Sequence, residues 1–370
     1  FRDRSRRADT VAPRMWFSGP IIDGVPPVRA KLQENAPDQS FAVDTPEEGL
    51  QRLDSLIENG VDFIKVYEML RPEVFAAIVE RAHARGLKVT GHVPIRMTTP
   101  GVLEDGLDGI EHLRGLELDC AEDPQRLLTD RVAIMDAHTS PTGGMELRRK
   151  VHEAVRPQAL EHQNRARCTA LIQSFARHGT WHTPTLNIVS FRALRLYDDP
   201  RWSDRLRYVP AALQQRWRKT LAEYTDETKY EEWRAHGEWA LQIVGEMHRA
   251  GVRLLAGTDA PALPTTPGFS LHDELQAMAR AGLSPLAVLQ AATVNPAEFL
   301  GVTAELGTIE QGKLADIVLL EANPLADITS SRRIRAVISK GRVYDRAALD
   351  AMLREIETKP PDAAAPSGAQ

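Results

Sequence analysis

Short apolar runs alternate with amphipathic segments along most of this chain. Residues 45–59 begin with Thr45, Pro46 and Glu48, a capping-box pattern, and then place leucine and isoleucine on one face before Gly60. A second helix with the same periodicity is predicted from Pro72 to Arg85. Six apolar runs are predicted to be strands, at about 14–19, 62–67, 88–93, 107–113, 180–186 and 253–259.

The order of these elements indicates a parallel sheet. Strand and helix alternate regularly from residue 45, with a short helix near 99–105, and such alternation is typical of right-handed βαβ crossovers. Two long, charged and mostly helical stretches, residues 114–179 and 187–251, interrupt the pattern. They are far longer than ordinary connections, so we expect them to form lids or specificity walls.

The pattern changes towards the C-terminus. Ser284 and Pro285 begin the last barrel helix, and from Gly307 onward short β runs take over, with a turn at Lys340 and Gly341. The predicted fold class is α/β: a (β/α)8 TIM-type barrel that is incomplete at its N-terminus, with a small C-terminal β domain that forms half of a β-sandwich. A closed barrel of this kind needs eight strands, so two are expected upstream of Phe1. The predicted domains are residues 1–303, 304–347 and a helical end with a disordered tail at 348–370.

Composition narrows the class of protein. The 370 residues are 42% hydrophobic with a net charge of −5, and no run of Lys or Arg on a predicted strand or helix suggests a phosphate-tracking surface, which argues against a nucleic-acid partner. No stretch reaches the roughly 18 apolar residues of a membrane span. Cys120 and Cys168 are too few for a disulfide framework and are unpatterned for metal, so we expect both to be structural. Residue 1 is not methionine, so any export signal is unreadable, and a periplasmic or secreted location is slightly favoured over the cytoplasm.

Four predicted strands end in a residue type that can bind metal. These residues are Lys65, His92, His112 and Asp259. Because the C-terminal ends of parallel barrel strands face the same mouth, side chains far apart in sequence can converge on one ion there. Neutral imidazole is a preferred zinc ligand, and Asp259 could ligate the cation or accept a proton from water. A lysine whose amine is neutral can form a carbamate, which would bridge two cations.

Each candidate has an alternative role. Lys65 could pair with Glu68 or Glu111, and Asp259 could cap a turn. His182 could contact substrate or pack in the core, and Tyr67 is a weaker candidate for the pocket wall. His272 and Glu274 are further wall candidates, for which a structural role is favoured. The remaining histidines outside the strands, among them His83, His138, His152, His162, His236 and His248, are interpreted as surface residues.

Several motifs are absent. No G-x-S-x-G elbow, Walker loop or G-x-G-x-x-G occurs, which argues against a serine hydrolase, a P-loop enzyme or a dinucleotide-binding protein. No His-x-His occurs either, although eleven histidines are present.

The runs FIKVY, TGHVP, GIEHL and LLAGTDAP, followed by LQAATVNPAEFLG and GKLADIVLLEANP, resemble the amidohydrolase superfamily over residues 14–345, in particular its prolidase-like and imidazolonepropionase-like branch. The resemblance implies two Zn²⁺ ions, a carboxylated Lys65 as bridging ligand, His92 and His112 on the second metal, and Asp259 as ligand and general base. It also implies attack on an amide or ester carbonyl by a metal-bridging hydroxide. The family's His-x-His is missing, so at most one tightly bound metal is expected in this chain.

The sequence therefore favours a metal-dependent hydrolase of C–N bonds, acting on a small amide or dipeptide such as an N-acyl amino acid or an Xaa-Pro dipeptide. One alternative is a mononuclear deaminase or cyclic-amide hydrolase, which would do without the Lys65 carbamate. Another is a truncated, inactive scaffold that only binds. Neither a nucleic acid nor a membrane is an expected partner, and self-association into a homo-oligomer stays open.

Overall fold

The computed structural model describes residues 2–7, 9–29, 39–224, 227, 230–262 and 264–358. The chain divides into two compact units. Within the described residues, the first contains the chain up to His182 together with Ala250–Val252, and the second contains Thr183–Arg249 and residues 253–358.

The first unit is built on a parallel sheet of six short strands in the order β2-β1-β3-β4-β5-β6. The strands are β1 Ile21–Asp23, β2 Ser40–Ala42, β3 Ile64–Val66, β4 Val89–Gly91, β5 Gly109–Glu111 and β6 Trp181–Thr183. The helices that accompany them are α1 Arg2–Arg6, α2 Pro46–Glu58, α3 Pro72–Ala84, α4 Thr99–Glu104, α5 Leu116–Asp119, α6 Pro124–Asp136, α7 Gly144–Glu161 and α8 Arg165–His178.

The two helices predicted from periodicity are present and start as expected. The Thr45 side chain accepts a hydrogen bond from the Glu48 N–H at the start of α2, and Leu53 and Leu56 are buried on its inner face. Helix α3 begins at Pro72 and buries Val74, Phe75, Ile78, Val79 and Ala82. Proline fits the first turn because the N–H it lacks has no partner inside the helix.

A disulfide joins Cys120 to Cys168 in the first unit, across 48 residues of sequence. It ties the end of α5 to α8, within the stretch predicted as a helical insertion. The expectation that both cysteines are structural did not include a bond between them, because connectivity cannot be read from two isolated positions.

The second unit is mainly helical and carries a three-stranded antiparallel sheet. Its helices are α9 Leu186–Ala193, α10 Pro200–Arg205, α11 Ala211–Tyr224, α12 Tyr230–Arg249, α13 Phe269–Arg280, α14 Pro285–Ala292, α15 Val294–Phe299 and α16 Arg346–Thr358, with 3-10 turns at Leu196–Asp198, Leu206–Tyr208 and Ile328–Arg332. Its strands are β7 Ile317–Leu320, β8 Ile334–Ser339 and β9 Arg342–Asp345. The turn between β8 and β9 is Lys340–Gly341, both at positive φ, as a two-residue hairpin requires.

The predicted class, a parallel α/β sheet with a small C-terminal β sheet, is confirmed, but the strand list needs three corrections. Residues 14–19 form no strand. The chain is extended there, but the Phe17 N–H bonds to the Asp62 carboxylate, Gly19 turns at φ 67°, and pairing begins only at β1. Strand β2, whose sequence is Ser-Phe-Ala, was not predicted, because the apolar run that it enters, residues 41–43, is only three residues long. Residues 253–259 contain only a single bridge residue, Leu254.

None of the helices in the described part of the chain is long and apolar enough to cross a membrane. The boundaries proposed at residues 303 and 347 stay predictions. Residues 346–358 are helical, and the tail predicted to be disordered lies, from residue 359, outside the described residues.

Candidate metal centre

Three adjacent strands of the first unit bring three of the predicted ligands to one edge of the sheet. Lys65 lies in β3, His92 follows β4 and His112 follows β5. The strands are in register, with Lys65 opposite Thr90 and Gly91 opposite Ile110. Gly91 is required before His92, because a Cβ at that position would lie 2.1 Å from the Val66 carbonyl oxygen.

The two imidazoles lie side by side. The ring centroids of His92 and His112 are 4.8 Å apart, with the rings edge to face. Burial lowers the pKa of His92 to about 4. Burial, together with the neighbouring His92 and Arg114, holds the pKa of His112 well below its ordinary value. Both rings are therefore neutral at pH 7, the state in which imidazole binds metal.

Glu68 fixes the orientation of His92. Its carboxylate lies 2.6 Å from His92 Nδ1, and its side chain is 1% exposed. With Nδ1 held in this way, Nε2 is the remaining ring nitrogen, and it is buried without a hydrogen-bond partner among the described residues. A carboxylate that holds the second nitrogen of a metal-binding histidine is the usual outer-shell arrangement at zinc sites.

Helix α7 supplies two of the side chains that contact Glu68. Arg148 Nη2 and His152 Nε2 each lie 2.8 Å from the Glu68 carboxylate. Burial raises the pKa of Glu68, but Arg148 and His152 outweigh it and hold that pKa well below its ordinary value. One turn further on, Arg156 Nε lies 3.1 Å from Glu117. The interpretation of His152 as a surface residue was therefore wrong: the residue is buried because it faces Glu68 from the inner side of α7.

Arg114 is the most accessible cation of this cluster. Its guanidinium approaches Glu68 only to 3.9 Å, and 34% of its side chain is exposed. Burial and Arg148 lower the pKa of Arg114 to about 10, so it is still charged at neutral pH.

Lys65 pairs with Glu111, one of the two partners that its alternative, structural role predicted. Its Nζ lies 3.2 Å from Glu111 Oε2, and the Thr90 hydroxyl donates to the other oxygen of Glu111 at 2.6 Å. As an ammonium, Lys65 cannot ligate a cation. The residue could join a metal site only after it has lost its proton, which is also the first requirement for forming a carbamate.

Tyr67 and His182 are the predicted substrate contacts. Tyr67 is buried and packs against His92, with ring centroids 4.1 Å apart and the ring planes tilted by 38°. His182 is completely buried, packs against the ring of Phe175 at 5.7 Å, and has its pKa lowered to about 3 by burial. The burial of His182 favours the packing alternative.

Asp259 belongs to the second unit. It is exposed, has φ 50°, and its carbonyl oxygen accepts a hydrogen bond from the Ala262 N–H. Two other titratable residues of this unit have structural roles. His272 Nδ1 lies 2.9 Å from the Ser331 hydroxyl, and Glu274 accepts a hydrogen bond from the Asn187 N–H at the start of α9.

The residues of the first unit fit a cation in part. Among the described residues, no group of three His, Cys, Asp or Glu side chains is placed to hold a metal ion. The two neutral imidazoles form a suitable pair of donors, since His92 Nε2 is buried without a partner and its tautomer is fixed by Glu68.

Comparison with known proteins supports the interpretation of these strands. The model of the amidohydrolase family matches residues 9–344. The chain belongs to the amidohydrolase family. The resemblance found in the sequence is thereby confirmed.

Among curated relatives, three kinds of enzyme match part of this amidohydrolase-family chain. Ochratoxinase of Aspergillus niger is 38% identical over 110 residues, which cover 27% of this chain and 22% of that protein. Adenine deaminase 4 of Rhizobium meliloti (strain 1021) is 36% identical over 108 residues, covering 29% of this chain and 17% of that protein. Imidazolonepropionase of Sphingopyxis alaskensis is 34% identical over 96 residues, with coverage of 25% and 23%. The matches thus span about a fifth of the length of these relatives.

Solved structures share the fold over most of the chain. A bottromycin amidohydrolase has a TM-score of 0.68 at 24% identity, covering 94% of this chain and 68% of that chain. A Xaa-Pro dipeptidase with bound methionine has a TM-score of 0.58 at 19% identity, covering 93% and 71%. Ochratoxinase of A. niger has a TM-score of 0.57 at 17% identity, covering 91% and 67%.

Sequence reasoning missed most of the residues that surround the imidazoles. The sequence pointed to Glu68 only as a partner for Lys65, and it did not connect Arg114, Arg148 or His152 with the site. One signal was available: Arg148, His152 and Arg156 follow each other at intervals of four, next to the apolar residues Val151 and Val155. This spacing places the three polar side chains together beside the apolar face of α7, but the same pattern also occurs on helices whose polar side faces solvent.

Proposed function

We propose that this chain is a metal-dependent hydrolase of C–N bonds, with N-acyl amino acids or Xaa-Pro dipeptides as candidate substrates. Membership of the amidohydrolase family supports the reaction class. The observation that carries the proposal is the pair of neutral imidazoles, His92 and His112, with His92 oriented by Glu68 and its Nε2 left for a cation. The name of the dipeptidase with a similar fold supports the substrate class.

Each residue of the site would have a separate role in binding the metal or the attacking water. His92 and His112 would hold a zinc ion, which as a Lewis acid supplies activation of water and of the scissile carbonyl. Glu68 would hold His92 in the ligating tautomer, and Tyr67 would support the ring of His92 through its packing contact. Asp259 keeps the role that the family resemblance implies, a further ligand and the acceptor of the proton of the attacking water.

Lys65 would join the site by carboxylation. Its neutral amine would attack carbon dioxide, form the new N–C bond and release one proton. The resulting carbamate would lie beside the carboxylate of Glu111, which is 3.2 Å from Nζ in the structure. Two adjacent negative charges need a cation between them, so we expect carboxylation of Lys65 and metal binding to occur together.

The test combines metal analysis with turnover. The chain is loaded with zinc in bicarbonate buffer, and bound metal and hydrolysis of N-acyl amino acids and dipeptides are measured. Lys65→Ala is expected to lower metal content and abolish hydrolysis. Lys150→Ala, which removes an exposed lysine of the same unit, is the matched control and should leave both unchanged.

Two results would contradict this assignment. Full metal content and normal turnover in Lys65→Ala would exclude a ligand role for Lys65. The wild-type chain is expected to bind at most one transition metal tightly, and two per chain would mean that the ligand set is wrong.

A second candidate is a deaminase or cyclic-amide hydrolase that uses a single metal. The ion pair of Lys65 with Glu111 favours it, because a paired ammonium has no need to be carboxylated. The local similarities to adenine deaminase 4 and imidazolonepropionase point in the same direction. Ammonia release from adenine by the zinc-loaded chain, retained in Lys65→Ala, would favour this candidate over the first. Absence of any turnover after zinc loading would leave the binding scaffold as the remaining hypothesis.

We also propose a periplasmic or secreted location. The disulfide between Cys120 and Cys168 supports it, because such bonds persist in oxidising compartments. Fractionation of the native host, followed by immunodetection, tests this directly. Recovery of the protein only from the cytoplasm would contradict it.

A further inference from the structure

The charges around Glu68 do not balance. Three guanidinium groups, those of Arg114, Arg148 and Arg156, face two carboxylates, those of Glu68 and Glu117. Both histidines that contact Glu68, His92 and His152, are buried and place one ring nitrogen each within hydrogen-bond distance of its carboxylate. Within this cluster the guanidinium groups therefore outnumber the carboxylates by one.

The guanidinium in excess is that of Arg114. Arg148 lies 2.8 Å from Glu68, and Arg156 lies 3.1 Å from Glu117, so each has a carboxylate at hydrogen-bond distance. Arg114 reaches Glu68 only at 3.9 Å, beyond hydrogen-bond distance, and Glu68 already accepts from three other groups.

Two nearby acidic side chains already have other partners. Asp23, a buried carboxyl near Arg148, accepts hydrogen bonds from the backbone N–H groups of Gly24, Val28 and Met69. Glu111 pairs with Lys65. Neither takes up the charge of Arg114 in the described part of the chain.

Arg114 is also the member of the cluster that a ligand can reach. About a third of its side chain is accessible (34%), against 11% for Arg148. It follows His112 by two residues. Its guanidinium lies near His92, because Glu68 Oε1 is 3.9 Å from Arg114 and 2.6 Å from His92 Nδ1. A ligand group bound to Arg114 would therefore lie beside the two imidazoles.

We infer that Arg114 binds a carboxylate group of the substrate, so that the preferred substrates are amides with a free carboxylate close to the scissile bond. A planar guanidinium matches a carboxylate geometrically and binds it through charge-assisted hydrogen bonds. The inference rests on the proposed function for the identity of the reaction, but the carboxylate site is a binding property and can be tested without turnover.

The experiment uses a matched pair of compounds, an N-acetyl amino acid and its C-terminal carboxamide, which differ in one charge. Binding of each to the full zinc-loaded chain is measured by calorimetry, and release of acetate is measured in parallel. The wild-type chain is expected to prefer the carboxylate by about tenfold, the order expected of one partly exposed charge-assisted pair. Arg114→Met should bring the two affinities together, mainly by weakening the carboxylate. Arg114→Lys should keep part of the preference.

Arg85→Met, which removes an exposed arginine at the end of α3 in the same unit, is the control and should keep the full preference. Circular dichroism and melting of Arg114→Met must match the wild type, and Arg114→Lys serves as the readout if they do not. A carboxylate preference that persists in Arg114→Met would overturn the inference, as would equal binding of the two compounds by the wild type.

The two proposals fail in different ways. Arg114-dependent binding without acetate release supports the carboxylate site and counts against the hydrolase. Equal hydrolysis of both compounds supports the hydrolase and overturns the carboxylate site. Binding of neither compound counts against both.

Discussion

At the scale of the residue, Glu68 determines how the candidate site is organised. It is nearly inaccessible and binds His92, Arg148 and His152 at the same time. Its carboxylate orients an imidazole and also compensates a buried guanidinium. The same residue is thus needed for stability and for the orientation of His92.

Replacing Glu68 by Gln should affect both properties. The variant leaves Arg148 without its compensating charge, which we expect to lower the free energy of unfolding by about 3 kcal/mol, since breaking a buried ion pair typically costs about 3–5 kcal/mol and the amide keeps some hydrogen bonds. Loss of the Nδ1 contact should weaken zinc binding by roughly 10- to 100-fold. Urea denaturation and zinc titration measure the two effects.

Glu80→Gln on α3 is the control, because Glu80 is exposed and should change neither quantity. Zinc affinity equal to that of the wild type in Glu68→Gln would show that Glu68 does not position a ligand.

Whether a site residue could be predicted from the sequence depended on the type of element that carries it. Lys65, His92 and His112 could be found because each ends an apolar run, and the ends of parallel strands converge. Arg148 and His152 could not be found in this way, because a helix with the same pattern could present them to solvent. Their partner, Glu68, lies 80 and 84 residues away in sequence, and no local signal connects them.

At the scale of the element, helix α7 is held in place by its own apolar side chains and by the disulfide that closes the segment around it. It packs Leu147 and Val151 into the cluster that includes Tyr67 and Met69. The Cys120–Cys168 disulfide closes the segment that contains it. Arg148 and His152, which contact Glu68, are therefore carried by an element that the disulfide constrains.

Loss of this disulfide should destabilise the first unit. In the chain-entropy model a cross-link over a 48-residue separation contributes up to roughly 4 kcal/mol. We expect refolding in the presence of a reductant to lower the urea midpoint and to make the α6–α8 region more sensitive to protease. The double variant Cys120→Ala/Cys168→Ala should be equally destabilised in oxidising buffer and insensitive to reductant. A wild-type midpoint that is unchanged by reductant would show that the bond adds nothing.

Helices could be predicted better than strands for a physical reason. Thr45 and Ser284 each cap a helix through their own side chains, so the signal is local. The strands span only three residues in the parallel sheet, too few for a clear alternation. Between 253 and 259 the backbone leaves the strand conformation, with Gly257 approaching the Thr183 side chain and Asp259 at φ 50°. These are tertiary constraints that no apolar run reveals.

At the scale of the whole molecule, buried carboxyl groups make stability depend on pH. Burial raises the pKa of Glu274 to about 8 and that of Asp23 to about 7. The buried histidines act at lower pH, because burial lowers the pKa of His92 and His152 to about 4, below the ordinary value of 6.5. Above pH 6.5 the raised carboxyls are therefore the groups that dominate the pH dependence.

The sign of the effect follows from linkage. Between the ordinary glutamate pKa of 4.5 and the folded value of about 8, the folded chain keeps a proton on Glu274 that the unfolded chain has lost. The free energy of unfolding must then fall as pH rises through this window and level off above it. A tenfold change in a proton-binding constant corresponds to about 1.4 kcal/mol, so the loss of stability attributable to Glu274 is of the order of a few kcal/mol.

Glu274→Gln tests this expectation, because glutamine cannot ionise and can still accept the hydrogen bond from the Asn187 N–H, which Glu274 receives at 2.6 Å. Urea midpoints measured at pH 6.5 and 8.5 should differ less in the variant than in the wild type, and the residual difference should reflect Asp23. Glu298→Gln, at an exposed position on α15, should keep the wild-type dependence. If the variant lost as much stability as the wild type over this range, Glu274 would already be ionised in the folded chain, and its buried charge would need a cationic partner.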